Sequence, residues 1–275
     1  MSQFTDSGRI GISDLEAYES TLSKIASTHG INLDSKTAIA IADIGDGLLA
    51  TLERAGSANS PWFNPTTTGR YNMVSIPPES QWYLNLDNVV VTPSLQRWIS
   101  YAVLSHVFAE AYNVQLNDRF KNKWIEYSRR AREAADVFYQ LGIGVVYEPL
   151  PQPPEAIVTA GVGTQPAGII TVQTAWADAN GNESMLSPLV PVTLGASSSF
   201  TVAMGGAPGQ PPPFAAGWNL YVGSNGFSAT RQNSTLNLWN EVWSLPASGL
   251  VAGAAPAGSR QPDAYIIDPQ RIQRG

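Results

Sequence analysis

Hydrophobic residues near the start of the chain recur every three or four positions, which is the spacing of a helix with one buried face. Ser13 and Glu16 form a capping-box pattern that predicts the start of one helix, and Gly30 predicts its end. A second helix is predicted over residues 35–55, with a kink or a break at its internal glycines, because glycine is unfavourable inside a helix. The apolar positions on these two helices are Leu15, Tyr18, Leu22, Ile25, Ile41, Ile44, Leu48 and Leu52.

Residues 57–91 break the helical pattern and predict an irregular, extended arm. Prolines interrupt any regular helix there. The aromatic segment 82–86 and the valines at 89–91 favour extended structure, so a β-hairpin is predicted through Asp87 and Asn88.

Two longer helices are predicted after this arm. Thr92 as N-cap and Pro93 as the first helical residue begin the first of them. Asn117 or Asp118 is expected to cap the second, which ends at Gly142. At ~1.5 Å per residue, this last helix is a rod roughly 36 Å long. The residues that repeat along it are Phe120, Trp124, Tyr127, Ala131, Ala134 and Phe138.

The second half of the chain changes to the two-residue alternation of half-buried strands. The clearest strand is predicted over residues 170–176, and Asn180-Gly181 favours a turn shortly after it. Short strands separated by Gly, Pro and Ser turns are typical of a β-sandwich. Further strands are predicted at 189–194, 200–204, 218–222 and 238–243.

A proline-rich segment at residues 148–154 predicts the boundary between these halves, and charged residues are concentrated before it. The expected organisation is a helical domain at 1–150, a β-sandwich at 151–258 and a C-terminal tail at 259–275. The predicted fold class is therefore multidomain α + β, with an N-terminal α-helical bundle carrying an extended or β-hairpin arm and a C-terminal all-β sandwich.

Composition narrows the possible chemistry. The 275 residues include no cysteine, which excludes disulfides, thiolate zinc sites and cysteine nucleophiles. A net charge of −6 gives no overall basic footprint for nucleic acid. No apolar run reaches the roughly 20 residues that span a bilayer. Residues 1–10 lack the pattern of a signal peptide, so a protein that is not exported is expected.

Patterns for catalysis and metal binding are weak. His29 and His106 have no partner at ligand spacing, so helix-capping and packing roles are expected. The pair Asp43 and Asp46 suits two-carboxylate glycoside cleavage, but such pairs are common on solvated helices. No catalytic residue, cofactor or metal is therefore predicted. One group of oxygen-bearing residues suits either a β-turn or calcium: Asp178, Asn180, Asn182 and Glu183.

Two further clusters leave alternatives open. A basic cluster on the last helix suits nucleic acid, an acidic partner or subunit, or simply a solvated helix face. It comprises Arg119, Lys121, Lys123, Arg129, Arg130 and Arg132. Three tryptophans of the second half suit either a sugar-stacking platform or core packing. They are Trp218, Trp239 and Trp243.

The chain resembles a known family around residues 113–127. Together with 82–87 and 91–95, this segment resembles the head-to-tail connector (adaptor) proteins of tailed bacteriophages, and the resemblance covers roughly residues 10–147. The second half is similar to immunoglobulin-like or fibronectin type III-like modules, which phage structural proteins often carry. The residues that carry the adaptor resemblance are Tyr112, Asn117, Asp118, Arg119, Lys123, Trp124 and Tyr127.

The resemblance implies a non-enzymatic virion protein at the phage neck, made in the host cytoplasm. Such adaptors form a ring of about twelve copies between the portal protein and the tail or nozzle protein. DNA passes through the lumen without specific binding, and neither a cofactor nor a membrane is implied. The expected subunit and portal interface comprises Trp82, Tyr83, Tyr112, Asn117, Asp118, Arg119, Lys123, Trp124, Tyr127, Tyr265, Ile266 and Ile267.

Two other functions remain open from the residues alone. One is a sugar- or surface-binding decoration module that the helices anchor. The other is a virion-associated cell-wall hydrolase that uses the paired carboxylates.

Overall fold

The computed structural model describes residues 2–7, 10–56, 84–206, 211–224, 228–256 and 261–267. The chain divides into two compact units. One comprises residues 8–147 and 262–275 and is mainly helical; the other comprises 1–7 and 148–261 and is built from antiparallel strands. The mixed helical and β content is consistent with the α + β part of the predicted fold class. Residues 1–7, however, belong to the β unit, and residues 262–275 belong to the helical unit.

The described residues of the helical unit contain five helices. Their bounds are α1 (Ile12–Glu16), α2 (Leu22–His29), α3 (Leu33–Gly56), α4 (Pro93–Gln115) and α5 (Asp118–Leu141). None of the described helices is long and apolar enough to cross a membrane.

The single helix predicted from Ser13 to Gly30 is wrong, because two helices, α1 and α2, occupy this region. The chain leaves the helical path after α1, and Ser13 lies inside α1 rather than capping it. The carboxylate of Asp14 instead accepts a hydrogen bond from the Gly11 backbone, at 2.8 Å. The predicted stop is confirmed, since Gly30 has φ +66°, a conformation in which glycine is unstrained.

Helix α3 continues through Gly45 and Gly47 without the predicted break. Its buried positions recur every three to four residues, so one apolar face holds the helix against the rest of the unit. These positions are Ala40, Ile44, Leu48 and Leu52.

The caps of α4 and α5 follow the sequence prediction. The Thr92 hydroxyl accepts a hydrogen bond from the Leu95 backbone, and Pro93 opens the helix. The Asn117 side chain accepts one from the Arg119 backbone at 2.9 Å and begins α5. Gly142 follows α5 as its C-cap. Because a two-residue connection joins them, α4 and α5 form a long helical hairpin.

A small ribbon replaces the hairpin predicted through Asp87 and Asn88. Residues Leu86–Asn88 form one turn of 3-10 helix. Val89 then bridges to β1 (Ile143–Val145), and β1 pairs antiparallel with β9 (Ala264–Ile266). Trp82, Tyr83 and the rest of 57–83 lie outside the described residues.

Two antiparallel sheets make up the β unit. Strands β2 (Ile157–Gln165), β5 (Ser198–Ala203) and β8 (Trp243–Ser244) form one sheet in the order β2-β5-β8. The other has the order β4-β3-β6-β7 and consists of β3 (Gly168–Ala177), β4 (Val190–Leu194), β6 (Gly217–Ser224) and β7 (Thr230–Arg231). One hydrophobic cluster contains residues of both sheets, including Val172, Phe200 and Trp218.

The described strands of the β unit differ from the prediction at three places, one of which is the unpredicted short strand β7. Strand β2 was not expected, because its exposed residues and glycines give no clear alternation. The strand predicted at 238–243 is mostly a turn, and only its end belongs to β8. Asp178 organises the predicted turn at 178–182, where its carboxylate accepts hydrogen bonds from the backbones of Asn180 and Asn182, both at 2.8 Å.

Candidate functional site

The connection between α4 and α5, with the residues beside it, gathers most of the predicted interface residues. Tyr112 and Trp124 stack with ring centroids 6.3 Å apart, which ties the end of α4 to the first turns of α5. Asn117, the N-cap of α5, is followed by Asp118 and Arg119, and all three are exposed. We call residues 112–124 the hairpin tip.

The hairpin tip exposes three large apolar side chains to solvent. Val114 is 58% exposed and Leu116 is 73% exposed, while Trp124 shows 37% of its surface. Leu116 also has φ +51°, a left-handed conformation that costs a residue with a Cβ roughly 1 kcal/mol and that suits glycine or asparagine better. Neither the exposed side chain nor the left-handed backbone of Leu116 stabilises the described fold.

Lys123 and Tyr127, by contrast, make contacts inside the helical unit. The Lys123 ammonium lies 2.5 Å from Glu19 Oε2. The Tyr127 hydroxyl donates to the same oxygen at 3.1 Å and also lies 3.4 Å from the backbone oxygen of Tyr18. Glu19 follows the end of α1, so these contacts fasten the α1–α2 connection to α5.

Aromatic and cationic groups surround the ring of Tyr127, which is only 2% exposed. The ring stacks on Phe108 with centroids 5.5 Å apart and planes 14° from parallel. Lys123 and Arg130 lie 5.7 and 5.8 Å from the ring centroid, within the range of cation–π attraction. Tyr127 is therefore held in one orientation from several sides.

This environment shifts two pKa values. Burial alone raises the pKa of Glu19, but hydrogen bonds from Lys123, Thr21 and Tyr127, together with the Lys123 charge, outweigh it. The net result is a pKa below the ordinary value of 4.5, so Glu19 stays ionised. Burial, followed by the charge and hydrogen bond of Glu19, raises the pKa of Tyr127, which therefore keeps its proton and donates.

The basic cluster on α5 is partly neutralised. Besides the Lys123–Glu19 pair, Arg129 contacts Glu133 at 2.5 Å and Arg130 contacts Glu126 at 2.6 Å, each across one helical turn. Arg129 and Arg130 also line, with Arg97 and Tyr101, a small cleft of about 290 Å³. The remaining cations of the cluster, Arg119, Lys121 and Arg132, are exposed.

The predicted tail residues do not form a free arm, because β9 pairs with β1 of the same chain. Ile143 lies opposite Ile266, and Gly144 lies opposite Tyr265. The Asp263 backbone donates to the Val145 oxygen at 2.9 Å, and its carboxylate accepts from the Tyr147 backbone at 2.9 Å. Tyr265 and Ile267 remain 53% and 39% exposed.

Gly144 of β1 lies very close to Pro262 and to Thr92. A Cβ on Gly144 would lie 2.9 Å from the Cγ of Pro262 and 3.0 Å from the Cγ2 of Thr92. Glycine at this position therefore lets the C-terminal segment pass directly over β1.

Neither histidine belongs to a cluster of metal ligands. His29 ends α2 and packs its ring edge-on against Phe120, with centroids 5.2 Å apart. His106 lies 3.4 Å from Asp43, which is 66% exposed. Within the described ranges, no three His, Cys, Asp or Glu side chains are placed to hold a metal ion.

The tryptophans of the β unit separate into core and surface. Trp218 is completely buried and Trp243 is 9% exposed, so the core-packing alternative is confirmed for these two residues and they form no platform with Trp239. Both pack in the cluster that the two sheets share. Trp239 alone of these three is exposed, at 45%.

A buried polar network in the β unit was not predicted from the sequence. The Tyr221 hydroxyl donates to the Glu183 carboxylate and lies 2.7 and 2.8 Å from its two oxygens, while the Asn219 amide donates to the same group. The only sequence signal is that Asn219 and Tyr221 alternate with Trp218, Leu220 and Val222 along β6. That alternation normally indicates a solvated face, whereas β6 is buried on both faces.

Comparisons with protein-family models, with curated proteins and with solved structures found no match. The functional argument therefore rests on the residues and contacts of this chain.

Proposed function

We propose that this chain is a head-to-tail adaptor of a tailed bacteriophage. About twelve copies form a ring between the portal protein and the tail or nozzle protein, and DNA passes through its lumen. The hairpin tip carries the main contact between subunits or with the portal. The protein is a structural part of the virion neck and not an enzyme.

The exposed and strained Leu116 is the observation that carries this proposal. A ring of identical subunits needs two complementary patches on each copy. The hairpin tip supplies one such patch, with Leu116, Val114 and the Tyr112–Trp124 stack beside exposed charges at Asp118 and Arg119. An apolar centre with a charged rim is the usual composition of a protein interface.

The proposal assigns structural roles to Lys123 and Tyr127. Since both contact Glu19, they position α5 and so orient the hairpin tip, instead of touching the neighbouring subunit directly.

The C-terminal strand supplies a second contact. With β9 bound to β1, the exposed side chains of Tyr265 and Ile267 are the groups that reach the portal. The order β4-β3-β6-β7 supports an immunoglobulin-like sandwich, because it follows the C′-C-F-G order of that fold. In the other sheet, β5 corresponds to strand E of the immunoglobulin fold. Strand β8 departs from that fold, since strand D, which lies beside E there, precedes E in the chain, whereas β8 follows β5.

Electrostatics is compatible with the DNA passage. The net charge of −6 disfavours tight binding of the phosphate backbone, which requires several Lys or Arg contacts. DNA therefore slides through the ring without sequence recognition.

Immunogold labelling of tailed particles with an antibody against the chain tests the location. Gold at the junction of head and tail is the expected result. Gold on the capsid faces or tail tip, or particles that lack the chain, would contradict the proposal.

The substitution Leu116→Asn tests the contact itself. Asparagine suits the left-handed conformation, so the chain keeps its fold, but the exposed apolar group is lost. We expect the yield of particles with a head joined to a tail to fall at least about tenfold, because an interface anchor is removed. Leu189→Asn is the matched control, since Leu189 is 52% exposed in the β unit. Equal yields from both variants would contradict the proposed contact.

A further inference from the structure

A groove of about 790 Å³ lies within the β unit, and the contacts of the proposed adaptor do not involve it. Its volume falls within the ~300–1,000 Å³ of small-molecule sites. Its walls include Trp176, Ile157 and Met204, together with the prolines at 151, 154 and 211–213. The loop residues Trp239, Asn240 and Glu241 complete the lining.

A tight turn presents Trp239 and Asn240 to this groove. The Glu241 backbone donates to the Leu238 oxygen at 3.0 Å, the hydrogen bond of a β-turn, so Trp239 and Asn240 are its two central residues. The Glu241 carboxylate accepts from the Leu238 backbone at 3.0 Å, which closes the turn a second time.

The turn is anchored to the core. The indole N–H of the buried Trp218 donates to the Leu238 oxygen at 2.7 Å. The backbones of Trp218 and Asn237 also exchange hydrogen bonds at 2.9 and 3.0 Å. The groove wall is therefore organised before any ligand arrives, which lowers the entropic cost of binding.

Three groups of the turn have unused binding capacity. Trp239 is 45% exposed. Neither its indole N–H nor the Asn240 amide makes a hydrogen bond in the described part of the chain, and the Glu241 carboxylate has a second oxygen beyond the one that closes the turn. An aromatic ring beside an amide and a carboxylate offers both an apolar face and polar partners.

We infer that this groove binds a neutral, pyranose-containing oligosaccharide. A sugar ring has one face of C–H groups, which packs on the Trp239 indole, and hydroxyls at its edge that can both donate and accept. The Asn240 amide and the free oxygen of Glu241 pair with those hydroxyls. The negative charge of Glu241 disfavours acidic sugars, since a like charge would be brought next to it.

A proline-rich peptide fits these groups less well. Aromatic and proline-lined grooves do bind polyproline helices, but proline has no N–H to donate. The Glu241 carboxylate would lose water without gaining a donor, which is unfavourable. Hydroxyl-rich saccharides satisfy it.

The experiment uses the full chain and a panel of neutral hexasaccharides of glucose, mannose and N-acetylglucosamine, with hexaproline as the competing probe. Binding is followed by calorimetry up to about 1 mM ligand, the weak end of specific binding. At least one saccharide is expected to bind, and Trp239→Ala is expected to weaken it about tenfold or more. Trp239→Phe retains part of the affinity, because an aromatic face remains.

Val162→Ala is the control, since Val162 is 95% exposed in the β unit and does not line the groove, and it should leave saccharide binding unchanged. Glu241→Gln keeps an oxygen for the Leu238 backbone and should weaken binding less than Trp239→Ala. The inference is overturned if no saccharide binds, if Trp239→Ala binds as well as the wild type, or if only hexaproline binds. None of these outcomes depends on whether the chain forms a ring.

Discussion

At the residue scale, Glu19 connects two parts of the helical unit through one carboxylate. It accepts from Lys123 and from the Tyr127 hydroxyl, both on α5, while it lies itself between α1 and α2. A hydrogen bond to a charged group contributes more than one between neutral groups. Removing the contacts of Glu19 therefore tests directly whether they hold α5, and with it the hairpin tip, in place.

We expect Tyr127→Phe to destabilise the helical unit by about 1.5 kcal/mol, the contribution of one hydrogen bond to a charged group. The ring stack on Phe108 is preserved, so the change isolates the hydroxyl. Chemical denaturation followed by far-ultraviolet circular dichroism measures it. Tyr265→Phe is the control, since Tyr265 is 53% exposed. If both variants unfold at the same denaturant concentration, the hydroxyl of Tyr127 contributes nothing.

The same site predicts a pH dependence. Because the folded pKa of Glu19 lies below 4.5, its contacts stabilise the fold fully above that pH and lose their effect as the pH falls through the folded pKa. The stability difference between wild type and Glu19→Gln should therefore be largest near neutral pH and shrink in acid. Denaturation midpoints of both proteins over a pH series measure it, and a constant difference would contradict the assignment.

The sequence placed Tyr127 correctly on a helix face but could not predict its partner. Glu19 lies in the break between α1 and α2, and the hydrophobic spacing through Tyr18 and Leu22 predicts no break there. The contact of the Tyr127 hydroxyl with the Tyr18 backbone oxygen joins residues 109 positions apart, so no local pattern indicates it.

At the element scale, local chemistry predicted the caps of α4 and α5. Thr92, Asn117 and Gly142 act through bonds or backbone angles within a few residues, so the sequence alone contains the signal. Strand β2 depends on pairing with the distant β5, and its exposed residues carry no periodic signal. The sequence therefore missed β2, although it predicted β3, β5 and β6, whose pairing is also long-range.

The pairing of β9 with β1 can be tested at Gly144. In Gly144→Ala, the new Cβ would meet Pro262 and Thr92, so β9 should be displaced while its sequence stays intact. We expect faster hydrogen exchange at the Asp263 amide, which donates to Val145, by about tenfold for each 1.4 kcal/mol lost.

Gly161→Ala provides the comparison for this experiment. Gly161 lies in β2, and a Cβ there would meet nothing within 4 Å. If Gly144→Ala leaves the Asp263 amide as protected as Gly161→Ala does, the close packing of the tail over β1 is not needed for its binding.

At the scale of the whole molecule, the two units divide at 147/148, beside the proline-rich segment, and the sequence did not predict where the termini belong. The N-terminal segment joins the β unit through specific contacts. Asp6 accepts from the Gln152 backbone at 2.9 Å, Ser7 donates to the Gln152 side chain at 2.6 Å, and Phe4 is 3% exposed. A short segment far from its partners in sequence carries no pattern that indicates such docking.

We expect Phe4→Ala to destabilise the β unit by about 3 kcal/mol, the usual cost of removing a buried aromatic ring. Hydrogen exchange should become faster at core amides of that unit, such as those of Val202 and Leu220, and should not change at Val103 of α4. Ile12→Ala is the control, because Ile12 is 49% exposed in α1. Faster exchange confined to the helical unit would contradict the placement of the N-terminal segment.

The placement of β9 also has a consequence during synthesis on the ribosome. Residues 8–147 emerge well before β9, the strand that completes their ribbon. The nascent helical segment must therefore wait until residues 264–266 are translated before β1 gains its partner. A prematurely terminated product lacks that strand, so only chains translated past residue 266 can close the ribbon.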